Sequence, residues 1–576
     1  MQDVKSLWNL APLFKGKDSL KVAIRESIKN AKEFEEKYKD RLHILTPKEF
    51  FILLETYENN CEDLARIMTY AFLSFAANTK EGAFYAECEM KVNEAQESLL
   101  FFEVEFNTLP KELQEQFIQQ GGKYAYFLEL LSKNAKYQLT LPEEKVLLKT
   151  QPVGVDAFKR LFDEHFSRMK FKFDEQELTE EEILSFLYHK DREIRKKAAE
   201  SLSLELNKNR EFLAYIYNVV RKDLKIQSEL RGYKSLEEFR HISNQTTQKS
   251  VDLMVQAINE NVKIVEEYYT IKKNLLNYDK LYDYDRYAPL PMSSSEVFSY
   301  EDSKKIVLET FKGFSTKFYE IANKAFEEGW IDSHPRENKR GGAFSHSAVA
   351  STHPYLLLNH TNQRRDVFTI AHELGHTIHQ NLSYSVGYLN SDTPLTTAET
   401  ASVFAEMLLF EEMKNSLNKE EKISLYAGKL EDIFATLFRQ NVFTNFEREI
   451  HAKEGELSTE EINQIWQDEN QKMFGNSVVL SENYRLWWSY IPHFIHTPFY
   501  CYAYSYGQLL VMALFGIYRK EGKSFIPKYE KFLSLGGSQS PKDLVSIFGL
   551  DIEDEGFWRI GINEVRLLLE ELKRIL

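Results

Sequence analysis

The stretch Asp366–Leu382, DVFTIAHELGHTIHQNL, decides how the rest of the chain is read. Val367, Phe368, Ile370, Ala371, Leu374, Ile378 and Leu382 recur at helical spacing, which predicts a helix with Asp366 as its N-cap. His372 and His376 are four residues apart, so they project from one face of that helix, a turn apart. Two imidazoles so placed can hold one Zn²⁺ at about 2.0–2.1 Å each. Glu373 lies beside that face, within reach of a water on the metal as general base. A lone histidine on an apolar face is more often a packed core residue. Here two imidazoles and a carboxylate would be partly buried together, and buried polar groups need partners. A metal ion supplies them, and a metal site is the expectation.

A catalytic zinc takes three protein ligands and keeps a fourth position open. The pattern H-E-x-x-H-x-x-G-x-x-H would provide a third histidine, but its glycine and last histidine positions are His379 and Leu382 here. A glutamate on a following helix is the other common source. Leu395–Asn415, LTTAETASVFAEMLLFEEMKN, places Glu399 23 residues beyond His376, where the first turn of an antiparallel helix could reach both histidines. Two facts compete with that reading. Thr396-x-x-Glu399 is itself a capping box, and Glu406, seven residues on, is a second acidic candidate on the same face. Glu399 is the preferred ligand, with Glu406 orienting a histidine ring N–H. His379 reads as a structural hydrogen-bonding residue.

Just upstream, Lys339–His360 holds two short strand candidates, Gly342–Ser345 and Tyr355–Asn359. An unpaired strand edge can take up an extended peptide as an added strand, which makes Gly342 and Ala343 candidate substrate-binding positions. An ordinary hairpin edge would look the same in sequence.

The 576 residues exceed what one core accommodates, so more than one domain is expected. Hydrophobic content of 43% and aromatic content of 14% indicate a packed globular protein. The net charge of −15 argues against nucleic-acid and anionic-membrane partners. Cys61, Cys88 and Cys501 are the only cysteines, far apart, which suits a reducing compartment and offers no disulfide framework. The N-terminal MQDVKSLWNLAPLFKGKD has no basic stretch leading into an apolar one, and Leu509–Tyr518 is about half a bilayer span. A cytoplasmic soluble protein is expected.

Residues 19–148 read as successive amphipathic helices: Leu20–Asp40, Pro47–Glu58, Cys61–Ala77, Gly82–Phe106 and Pro110–Lys133. Lys149–Gly154 breaks the series, and helices resume at Thr179, where Thr179-x-x-Glu182 resembles a capping box. This organisation predicts an N-terminal helical domain over 1–175 and a catalytic domain over 176–576. Near the C-terminus, His493, Tyr500, Tyr502, Tyr504 and Tyr506 crowd a short stretch broken by Pro498. Histidine and tyrosine can donate to the oxyanion of a tetrahedral intermediate, though tyrosines at such spacings usually pack.

RDVFTIAHELGHTIH with TTAETASVFAE downstream resembles the oligoendopeptidase F branch of the thimet oligopeptidase family of zinc metallopeptidases. The resemblance extends to WNLAPLF (8–14), YAPLP (287–291), RGGAFS (340–345) and IPHFIHTPFYCYAYSYGQLL (491–510). It implies a mainly α-helical, zincin-type metallopeptidase with a small β-sheet beside the active site. It also implies one zinc ion on His372, His376 and Glu399, Glu373 as base, and His493 and Tyr500 as oxyanion donors. Tyr504 becomes a substrate contact, and His496 competes with His493. The implied substrates are short unfolded oligopeptides cut internally. The rival readings are an exopeptidase with the same metal chemistry and an inactive helical peptide-binding scaffold. No feature of the sequence sets an oligomeric state.

Overall fold

Runs of apolar residues at helical spacing become helices over most of the chain, and the strands among the described residues are only two or three residues long. The computed structural model describes residues 7–291 and 297–576. Its described residues form two compact units. The first lies within Met1–Lys136, Glu296–Asn415 and Ile517–Asp551, and the second within Tyr137–Ser295, Ser416–Gly516 and Ile552–Leu576. Each unit draws on three stretches of chain, so neither follows the linear division at 175/176.

In the first unit, Lys17–Tyr38 buries Leu20, Ala31, Phe34 and Tyr38. It shares a core with Phe50, Leu53, Leu54, Phe102 and Phe117 from the helices that follow. Pro47–Ala77 opens on a Thr46–Glu49 capping box with Pro47 in its first turn and runs unbroken through Cys61. The two helices expected there are one, because Asn59 and Asn60 weaken a helix without ending it. Conversely, the expected Gly82–Phe106 helix divides into Gly82–Glu97 and Phe101–Thr108. Pro110–Lys133 divides at its glycine pair into Lys111–Gln120 and Ala125–Ala135. Gly122 there has φ +56°, which ordinary residues rarely adopt. Around 149–154 the chain passes from helix Leu141–Thr150 through one tight turn into Val155–Arg168. The capping box at Thr179–Glu182 forms as expected.

Two sheets are present among the described residues. An antiparallel hairpin, β1 (Phe171–Phe173) and β2 (Gln176–Leu178), has strands too short to show a period in sequence. The other sheet holds β3 (Ile331–Asp332), β4 (Phe344–His346) and β5 (Tyr355–Leu357) in the order β3-β5-β4. β3 runs parallel and β4 antiparallel to β5, with Ser345 opposite Leu356. Both strand expectations near the metal helix hold, with β4 starting two residues late because Gly342 sits at φ +78°. The N-terminal WNLAPLF segment packs on this sheet: Trp8 Nε1 donates to the Leu356 carbonyl at 2.7 Å. Leu13, Leu73, Ala348 and Tyr355 form the small core beneath.

Among the described residues no helix is long and apolar enough to cross a membrane.

Candidate metal centre

The predicted helix forms over Arg364–Ser383. Its N-cap is Gln363 and not Asp366, which sits three residues into the helix. From there the Asp366 carboxylate accepts the backbone N–H groups of Thr361 and Gln363 at 2.7 and 3.0 Å. The acid still serves the helix start, from inside the first turn.

The histidine pair faces one direction. A short helix, Leu395–Ala398, and the longer Thr400–Ser416 meet at Glu399, whose carboxylate turns toward it. Glu399 Oε2 lies 3.4 Å from His372 Nε2 and 3.4 Å from His376 Nε2. Tetrahedral ligands about 2.0–2.1 Å from a zinc ion stand about 3.3 Å apart, so the donor set fits such an ion. Among the described residues this trio is the one cluster of histidine, cysteine or carboxylate side chains arranged to hold a metal. The Thr396–Glu399 capping box that competed with a ligand role is not the helix start, since the short helix takes Pro394 as its N-cap. The Glu399 carboxylate instead accepts from Ser402 Oγ at 2.6 Å. Glu406 Oε1 lies 2.6 Å from His372 Nδ1. That bond ties the Nδ1 side of the ring to Glu406 and leaves Nε2 as the nitrogen that would face a metal.

Close approach of the two helices depends on Gly375. A Cβ at that position would come within 2.5 Å of the Ala401 carbonyl oxygen and 2.6 Å of Ser402 Cα. The backbones therefore touch where Glu399 and Glu406 must reach the histidines. No spacing rule in the sequence singled this glycine out.

The charges respond to the crowding. Burial works against an imidazolium at His372, but Glu406, Glu399 and Glu373 outweigh it and lift the ring to about 9. Burial likewise opposes ionisation of Glu399, and His376 and His372 more than offset it, holding the carboxyl down to about 2. Glu373 is raised by burial, partly countered by the two histidines. His379 is buried, and burial with the neighbouring His376 lowers it to about 3, so it stays neutral.

These groups open onto a cleft of about 560 Å³ whose opposite wall includes Ala343, Phe344 and Ser345. β4 is an edge strand, tied to the metal helix by Gln380 Nε2 donating to the Ser345 carbonyl at 3.1 Å and by Ser345 Oγ 2.9 Å from Thr377 Oγ1. Gly342 does not line this cleft. It borders a second one of about 360 Å³ that shares Ala343, and its carbonyl accepts from Asn359 Nδ2 at 2.8 Å.

The second unit carries the C-terminal candidates. His493 Nε2 and the Tyr504 hydroxyl are 3.3 Å apart. The Tyr500 ring lies 6.1 Å from His493 and 5.2 Å from Tyr504, centroid to centroid. Tyr502 and Tyr506 belong to the core. Tyr502 accepts from Asn244 at 2.9 Å and meets His241 Nδ1 at 2.9 Å, while Tyr506 bonds Thr246 and Ser250. His496 pairs with Asp163 at 2.8 Å, which leaves His493 as the histidine grouped with the tyrosines. Phe499, at φ +57°, donates its N–H to buried Glu447 at 2.9 Å, and Arg240 donates to the Pro498 carbonyl at 3.1 Å. These two side chains fix the turn that presents Tyr500, and sequence reasoning did not single out either.

Residues 185–564 match the model of peptidase family M3, and residues 105–171 match that of oligopeptidase F. The chain belongs to peptidase family M3. It is a metalloendopeptidase of the oligoendopeptidase F kind. Oligopeptidase PepF of Bacillus subtilis is 28% identical over 95% of this chain and 83% of its own length. An oligoendopeptidase F homolog of Borreliella burgdorferi is 28% identical over 99% of this chain and 98% of its own. For the fold alone, a crystal structure of a Chlamydophila abortus protein aligns at a TM-score of 0.89, with 23% identity over 99% of this chain and 98% of that one. Oligoendopeptidase F from Enterococcus faecium aligns at 0.71, with 21% identity over 96% and 97%.

Proposed function

We propose that this chain hydrolyses internal bonds of short unfolded oligopeptides with one zinc ion held by His372, His376 and Glu399. The observation that carries the reading is the convergence of three metal-ligating atoms at tetrahedral spacing beside a buried glutamate and an edge strand. Zinc, when bound, supplies Lewis acidity to the scissile carbonyl and acidifies the attacking water. Glu373 accepts the proton of that water on its carboxylate and passes it to the leaving amine nitrogen. Glu406 accepts the Nδ1–H of His372 and keeps that ring in its ligating tautomer. The outer edge of β4, with Ala343 at the cleft and Gly342 before it, binds the substrate backbone in extended form. His493 and Tyr500 donate to the oxyanion, and Tyr504, exposed at its tip, contacts substrate. The division into residues 1–175 and 176–576 is one of sequence, with the catalytic motifs in the second part. The absence of a cysteine framework supports a cytoplasmic setting, and acidic net charge supports peptide partners over nucleic acid or membrane.

Product mapping by mass spectrometry tests the reading. Zinc-loaded protein and its Glu373→Gln variant are incubated with peptides of graded length, acetylated and amidated at their ends. Internal cleavage up to a length limit is expected, falling by about 10³-fold or more in the variant while its zinc is retained. Cleavage only of unblocked peptides would favour an exopeptidase. Peptide binding without cleavage by either protein would favour the scaffold.

A further inference from the structure

Lys272, Arg286 and Arg439 come together in the second unit around Tyr287, and of the three only Lys272 bonds a carboxylate. Lys272 Nζ donates to Glu431 Oε1 at 2.5 Å and to the Arg286 carbonyl at 2.6 Å. Glu431 also accepts from the Tyr268 hydroxyl. Arg286 is only 3% exposed, boxed by the rings of Tyr287, Tyr484 and Trp487, with Nη1 donating to Tyr484 at 2.9 Å. Its Nε and Nη2 are buried with no hydrogen-bond partner. Arg439 is half-buried. Its Nη1 donates to the Tyr287 hydroxyl at 2.8 Å and its Nη2 to the Tyr490 hydroxyl at 3.4 Å, while Nε has no partner. Among the described residues Glu431 is the only carboxylate bonded to any of the three cations.

Such a surplus is expensive. A buried cation whose donors are unmet costs several kcal/mol, and natural cores avoid it. Aromatic faces account for part of the compensation at Arg286. Arg439 is compensated only in part: its guanidinium lies 5.2 Å from the centroid of the Phe443 ring, and its hydrogen bonds end on two phenol hydroxyls. The helix that carries it is interrupted by a π turn over Phe434–Phe438, immediately before Arg439. The extra residue in that turn resets which way the following side chain points, and such turns gather at functional sites. The surplus is felt nearby. Burial opposes ionisation of Tyr287, yet Arg286, Arg439 and Lys272 outweigh it and lower that phenol. Burial and the charge of Arg439 lower His493, three residues beyond Tyr490.

We propose that Arg439, flanked by the hydroxyls of Tyr287 and Tyr490, binds a carboxylate of the peptide substrate. A guanidinium fork matches a carboxylate in plane, and each phenol can rotate to donate its O–H to the same anion. The inference rests on the peptidase reading above and sharpens it, because it names a carboxylate as a group by which the substrate is recognised.

Calorimetric titration tests it on Glu373→Gln protein, which binds without turnover. Three acetylated peptides of otherwise identical sequence are compared: one with a free C-terminal acid, its amide, and the amide with one internal glutamate. One of the two carboxylate-bearing peptides is expected to bind about 10–100-fold tighter than the plain amide. Which one gains identifies the C-terminus or a side chain as the source. Adding Arg439→Met should abolish the gain and leave the plain amide unchanged, and Arg439→Lys, which keeps the charge without the fork, should retain part of it. Equal or unmeasurable affinity for all three peptides overturns the proposal. So does a gain that survives Arg439→Met, or one left undiminished by Arg439→Lys should the Met variant fail to fold, because the carboxylate then binds elsewhere, such as on the metal. Failure of the peptidase reading is a separate result, read as absent cleavage by the wild-type protein.

Discussion

Two ionisable clusters among the described residues are short of opposite charges. In the first unit three carboxylates, Glu373, Glu399 and Glu406, gather on two imidazoles. In the second, Lys272 bonds one carboxylate, while Arg286 and Arg439 end on phenols. Each arrangement is costly alone and becomes favourable with a ligand of the missing sign. A cation completes the first, and the second is built for an anion. The difference also separates two kinds of evidence. The first cluster is contained in His372–Glu406, about 35 residues of chain, whereas the second is assembled from segments up to about two hundred residues apart.

The sharpest way to break the comparison is at the tyrosines beside the second cluster. Tyr500→Phe is expected to lower kcat by about 10²–10³-fold with little change in KM, as loss of an oxyanion donor does. Tyr502→Phe should leave kcat within about twofold, but destabilise the fold by about 1–2 kcal/mol, because Asn244 and His241 lose their partner. Steady-state kinetics on an internally quenched peptide, with urea melts of both variants, checks the pair. Equal kinetic losses would remove the distinction between presented and packed tyrosines.

A smaller effect concerns pH and the turn that holds Tyr500. Burial raises Glu447 to about 8, above the ordinary carboxyl range. Its folded value exceeds its unfolded one, so its contribution is full below about pH 4.5 and is lost as pH rises through about 8. Buried His451 has the opposite sign: burial and Arg221 lower it to about 3. Its contribution is full above about pH 6.5 and fades as the solution is acidified. Between pH 5 and 9, Glu447→Gln should therefore gain stability relative to wild type, on the order of a few kcal/mol. Parallel urea titrations across that range would show it. A constant difference would mean that Glu447 ionises normally in the folded protein.

The helix, both histidines, the glutamate that follows and the strand pair upstream were all legible in sequence, because each rests on a local period or a fixed spacing. Glu399 was legible only as a preference over a competing capping box, because the break between two helices at that residue leaves no mark in sequence. Gly375 was silent: its role is a contact with Ala401 and Ser402, 26 and 27 residues on, and a glycine inside a helix carries no mark of what it lets approach. The Cys61 region misled because polar residues alone do not end a helix, and the β1–β2 hairpin was missed because three residues are too few to show alternation. Arg439 went unnoticed for the reason the comparison gives. Its partners, Tyr287 and Tyr490, lie 152 and 51 residues away in sequence.

The central claim is that the first cluster is a zinc centre closed by Glu399. Zinc content per chain, measured by elemental mass spectrometry after exhaustive dialysis, tests it most directly when wild type is compared with Glu399→Ala. About one equivalent is expected in wild type and a near-complete loss in the variant, with the helical signal unchanged. Full zinc retention in Glu399→Ala, or active wild-type protein without zinc, would contradict it.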